Sequence, residues 1–166
     1  MNALWSYFWP IFAAGLVIGA VAGSIGFRRG RSAGTALAIG AALSIAGAAL
    51  WHGPLGAADR FAAQVERRAR ATLDYYEMPA VTAQLHHDPL TRGLILSGPA
   101  DRFQRSELVR IMGDLPGVGN ARWSTTSGGL PLIAEATMTA LTGFLTGLLL
   151  AYLVELRRRY NAQWKW

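Results

Sequence analysis

Cysteine is absent from the 166-residue chain, so disulfides, thiolate metal sites and thiol chemistry are all excluded. Charge is missing from three long stretches: residues 4–27, 33–51 and 136–154 hold no Asp, Glu, Lys, Arg or His. In a membrane-crossing segment such residues mark ion paths, proton relays and cofactor ligands. Their absence argues against transport and leaves no intramembrane histidine to hold haem iron or a chlorin magnesium. A phosphate-cradling glycine loop and a Ser-His-acid arrangement are missing as well. The expectation is a noncatalytic protein with no cofactor, metal or small-molecule substrate.

What is present is apolar and concentrated. Each uncharged stretch is long enough, or nearly so, to cross roughly 30 Å of hydrocarbon at about 1.5 Å per residue, which predicts three transmembrane helices. The first lacks a basic leader and runs too long for the apolar core of a signal peptide, so it is read as a retained helix that keeps Met1. The formal net charge of +6 is uneven. Residues 52–130 carry nine Arg against eight Asp or Glu, whereas Arg28, Arg29, Arg31, Arg157, Arg158, Arg159 and Lys165 flank the apolar stretches. That pattern reads as topology rather than as nucleic-acid binding. Short basic loops stay cytoplasmic, so the turn at Arg28 to Arg31 and the C-terminal tail are expected inside, with the N-terminus and residues 53–129 outside. The expected location is a bacterial inner membrane with a periplasmic central domain. Trp5, Tyr7, Phe8, Trp9 and Trp51 suit the outer interface, and Tyr160, Trp164 and Trp166 the inner one.

Small residues recur every four positions in all three helices: Gly15, Gly19 and Gly23; Ala36, Gly40, Ser44 and Ala48; Gly143, Gly147 and Ala151. That spacing puts them on one face, where another backbone can approach closely. They either pack the three helices together or dock onto a partner, and the sequence leaves both open. Eleven of the eighteen residues in 33–50 are Ala or Gly, so helix two offers lipid little apolar surface and is expected to need protein around it.

The central stretch has a different period. Phe61, Val65, Ala69, Leu73 and Tyr76 recur at three or four residues and predict an amphipathic helix over 59–76, with Arg60, Arg67, Arg68 and Arg70 largely off its apolar face. Val81, Ala83 and Leu85 alternate with polar neighbours, His87-Asp88-Pro89 predicts a turn, and residues 93–97 a second strand ending at Gly98-Pro99. Asp101 with Gln104 predicts a capped helix whose buried stripe is Leu108, Ile111, Met112 and Leu115, stopping at Pro116-Gly117. Residues 118–123 supply a third strand. The fold class is therefore a membrane protein of three transmembrane α-helices, organised as 1–52, 53–129 and 130–166. A small α+β domain, ordered helix, strand, strand, helix, strand, lies between helices two and three, with both its helices on one face of the sheet.

Leu94-Ile95-Leu96-Ser97-Gly98, the helix containing Arg105 and Leu108, and Leu115-Pro116-Gly117-Val118 together resemble the BON domain of bacterial envelope proteins over about residues 59–123. The basic helix in front is similar to the membrane-anchored BON region of OmpA-family proteins, but a third apolar helix stands where the OmpA domain would follow. The resemblance implies a noncatalytic periplasmic module that associates with phospholipid or protein, with Gly98 and Gly117 as its turn glycines.

His86 and His87 are strand neighbours facing opposite ways with no third ligand at a recognisable spacing, so no metal site is expected. Arg60, Arg67, Arg68 and Arg70 suit anionic head groups, each worth roughly 1 kcal/mol near a charged surface, or form a solvated face with Glu66 and Asp74. Residues 124–129 read as a flexible connector. The function expected is an accessory or scaffold subunit of a larger inner-membrane complex. Its partners would be membrane lipids and other integral membrane proteins. The alternative is an independent envelope-stability or stress protein whose central domain binds phospholipid.

Overall fold

Three long uncharged stretches become three long helices in the computed structural model, which describes residues 2–29, 33–123 and 129–163. Met1, Arg31, residues 124–128 of the expected connector, Trp164, Lys165 and Trp166 lie outside the described residues. Helix α1 spans Ala3–Arg29, α2 spans Ala33–His52 and α5 spans Leu132–Gln163. All three are long and apolar enough to cross a membrane. Helix α5, at 32 residues, is longer than its apolar core of 136–154 because good helix formers such as Glu155, Leu156 and the following arginines continue it.

The chain divides into two compact units. One comprises residues 8–55 and 136–166, the other residues 1–7 and 56–135. This differs from a division at 52/53 and 129/130, since the start of α1 and the first turn of α5 belong to the unit that holds the sheet.

In the helical unit, a Cβ built on Gly15 would fall on the carbonyl oxygen of Ala140, and one on Gly19 on that of Phe144. The register rises together along both chains, so α1 and α5 run parallel. Helix α2 runs antiparallel to α1, with Gly26 beside Ala33 and Gly40 beside Ala22. One end of this bundle therefore carries Arg28 and Arg157 to Arg159, and the other carries Trp9 and Trp51. Ser24, Ser44, Thr142 and Thr146 each donate their hydroxyl to a carbonyl three or four residues back, so these polar atoms are satisfied within their own helices.

The second unit is built on α3, Ala57–Tyr75, and a three-stranded sheet. Strand β1, Thr82–His87, pairs antiparallel with β2, Leu90–Ser97, which pairs in parallel with β3, Asn120–Arg122. Helix α4, Arg102–Gly113, makes the crossover between β2 and β3. Leu85, Leu94 and Ala121 share one register row and are all buried, while Gln84 and Arg122 in the next row lie exposed. The sheet thus has one apolar face; α3 packs against β1 and α4 against β2 and β3, each with a buried stripe (Phe61, Val65, Ala69 and Leu73 on α3, Leu108 and Met112 on α4). Asp101 caps α4 as expected: its carboxylate accepts from Gln104 N at 2.7 Å, and the Gln104 side chain accepts from Asp101 N. Tyr7 joins this core with its ring 5.4 Å from that of Phe61.

Three local expectations need correction. Tyr76 is not on the buried face of α3; it caps the helix and is 46% exposed. The chain turns there because Glu77 adopts φ 55° and Met78 N donates to Leu73 O, a Schellman ending made without glycine. Strand β2 begins at Leu90 rather than Gly93, because Thr91 bridges to Pro131 and gives the early part of the strand a second partner. The turn is therefore Asp88-Pro89 alone, with His87 in the ladder opposite Leu90. Ile111 and Leu115 are only half-buried, since α4 ends at Gly113 and the chain turns away through Gly117 at φ 109°.

Candidate docking surfaces

The small residues of α1 and α5 interlock. Gly15 and Gly19 lie on the α5 backbone at Ala140 and Phe144, while Gly143 and Gly147 lie on the α1 backbone at Phe12 and Leu16. Any side chain at these positions would drive the two backbones apart, which is the physical reason for glycine there. Gly23 is placed against Ala151 and Leu148, where a Cβ would sit 2.8 Å from the Ala151 methyl. On α2, Gly40 rests on Ala22 and the Phe144 ring, and Ser44 and Ala48 are buried on the same face. Ala36, one turn earlier, is half-buried.

Helix α2 carries a second set that the sequence reading missed. Gly34, Ala38, Ala42 and Ala46 also recur every fourth residue, and all four are exposed. They sit two positions out of phase with Gly40 and Ser44, about 200° round the helix at 3.6 residues per turn, and so on the opposite face. Gly34 and nearby Gly47 have nothing within 4 Å among the described residues. The signal was in the sequence, but an Ala- and Gly-rich helix shows small residues at four-residue spacing in several phases, and only burial separates them.

In the sheet unit, Arg60 and Arg67 are exposed and Arg68 is half-buried. Arg70 is used structurally. Its guanidinium donates to the Pro79 and Val81 carbonyls and pairs with Asp74 at 2.9 Å, tying the end of α3 to the start of β1. Arg67 and Arg70 border a groove of about 390 Å³ beside β1. Glu66 is turned toward the same strand, accepting from Leu85 N at 3.0 Å and lying 3.1 Å from His87 Nε2. His86 bonds instead to the Pro89 carbonyl. Among the described residues no group of three or more His, Asp or Glu comes together as a metal site would require.

Gly98 and Gly117 both hold positive φ, 130° and 109°, as turns after a strand and a helix require. A Cβ on Gly117 would also meet Val65 Cγ2 at 2.6 Å. Sequence reasoning did not foresee the ion pair of Arg92 with Glu135, 3.2 Å long and about three-quarters buried at each side chain. Arg92 also donates to the Gly117 carbonyl, so it joins β2, the α4–β3 turn and the first turn of α5. On the exposed face of α4, Glu107 hydrogen-bonds Arg110 and raises the arginine pKa above its usual value; exposed pairs of this kind add little stability.

Comparison with known protein families, curated proteins and solved structures finds no match to this chain. The functional reading therefore rests on the geometry above.

Proposed function

We propose that the protein is a noncatalytic accessory or scaffold subunit of a larger bacterial inner-membrane complex, docking through α2. In this reading the sheet unit is a BON-like interaction module on the periplasmic side, and the basic end of the bundle faces the cytoplasm. The observation that carries the proposal is the outward stripe Gly34, Ala38, Ala42 and Ala46, on the far side of α2 from the face packed in the bundle. Helices associate in a bilayer by close backbone packing at small residues, whereas lipid-facing surfaces are served by larger side chains. The glycines of α1 and α5 do not supply that surface, because they are occupied against each other.

The domain resemblance is supported by the helix, strand, strand, helix, strand order and by Gly98 and Gly117 at the turns. Gentle solubilisation of the full chain from its native membrane tests the proposal. A complex larger than the 17.9 kDa chain, with stoichiometric integral membrane partners, is expected. A monomer without partners would overturn it.

A further inference from the structure

The basic end of the bundle has more positive charge than its own carboxylates can balance. Among the described residues after Glu135 there is a single acidic residue, Glu155, against Arg157, Arg158 and Arg159, with Arg28 at the same end. Glu155 is committed: its carboxylate accepts from Arg159 Nε at 3.0 Å. Arg159 also donates to the Phe27 carbonyl at 3.3 Å, one of the carbonyls left open at the end of α1. With the edge contact of Tyr152 on Phe27, this fixes which side of α5 faces α1.

The other side carries Val154, Arg157, Arg158, Asn161 and Ala162, a single stripe at helical spacing on the open surface of α5. Arg157, Arg158 and Asn161 are exposed and have no carboxylate partner among the described residues. Along the axis the stripe changes character in order. Leu150 and Val154 are apolar and exposed, and the two guanidiniums follow about one turn later. That order matches a phospholipid lying alongside, acyl chain on the leucine and valine, phosphate at the arginines, and polar head at Asn161.

We propose that this face of α5 is a binding site for an anionic phospholipid, with Arg157 and Arg158 as the phosphate ligands and Asn161 as a polar contact to the head group. The site rests on the membrane-spanning reading of α5. It is separate from the arginines of α3 and from the docking stripe of α2, neither of which it requires. Arginine suits it because the guanidinium fork donates to two phosphate oxygens at once and stays charged at any physiological pH.

The test is native mass spectrometry of the full-length protein in mild detergent, delipidated and then titrated with phosphatidylglycerol or phosphatidylcholine of identical acyl chains. Wild type is expected to prefer phosphatidylglycerol by about tenfold or more, from the known worth of a basic residue at an anionic surface. The double variant R157Q/R158Q should lose about 30-fold in phosphatidylglycerol affinity on the same grounds, and R157K/R158K should recover part of it. Glutamine keeps the helix propensity of these exposed positions, and an unchanged far-UV circular dichroism spectrum verifies the fold. Equal retention of the two lipids, or a loss under about threefold in the glutamine variant, would overturn the site. Displacement of the lipid by millimolar inorganic phosphate or glycerophosphate would overturn it too, by showing a simple anion site. An alkaline carbonate wash separates the two levels of failure: a chain washed from membranes contradicts the spanning reading itself, while one that stays but shows no lipid preference contradicts only this proposal.

Discussion

Replacing Gly19 by alanine is the sharpest perturbation the bundle offers. The added methyl would lie 2.8 Å from the carbonyl carbon of Phe144 and 2.9 Å from its Cα. Non-bonded carbons prefer about 3.5–4.0 Å, so α1 and α5 must separate by about 1 Å at this level. The neighbour is backbone and no rotamer change can relieve the clash. Overpacking of this kind costs about 1–3 kcal/mol. Alanine recovers up to about 1 kcal/mol of intrinsic helix preference over glycine, so with the full offset the net loss reaches about 2 kcal/mol at the upper end of that cost. Gly47 is the internal control, since a Cβ added there on α2 would meet no other group within 4 Å among the described residues. There the propensity gain stands alone, and Gly47→Ala is expected to be neutral or to stabilise by up to about 1 kcal/mol. Unfolding from dodecylmaltoside micelles by titrated sodium dodecyl sulfate, followed by far-UV circular dichroism, reads both. If Gly19→Ala and Gly47→Ala shift the midpoint in the same direction and by the same amount, the interlocked packing of α1 on α5 is wrong.

Two further substitutions test the sheet unit, in opposite directions and by the same kind of unfolding curve. Glu77→Gly should stabilise the protein by about 1 kcal/mol, because Glu77 holds φ 55° at the end of α3 and a left-handed conformation costs a residue with a Cβ about 1–2 kcal/mol. Gly117→Ala should destabilise it by about 2 kcal/mol or more, combining the strain of φ 109° with a methyl pressed on Val65.

The three apolar helices were legible because a run of about twenty uncharged residues has few other uses, and the start of α4 because Asp101 and Gln104 form a local device complete within four residues. What escaped the sequence depended on contacts across the chain or on unusual backbone choices. Glycine is the usual residue at a Schellman turn, so Glu77 in that place concealed the end of α3. Thr91 and Arg92 gave no apolar alternation, yet they extend β2 because Pro131 and Glu135, far along the chain, supply their partners. The small residues at Gly15, Gly19, Gly143 and Gly147 were visible as a pattern, but which helix each would meet was not. On α2, two small faces overlap in one stretch of sequence, and only burial separates Gly40 and Ser44 from Ala38 and Ala42.

The central claim is that the outward face of α2 meets another protein rather than lipid. A photo-crosslinking amino acid at Ala42, compared in intact cells with the same probe at exposed Leu149 on α5, measures this most directly. A discrete crosslinked band from Ala42 to one membrane partner, with none from Leu149, is the predicted result. Lipid adducts alone at both positions would contradict it.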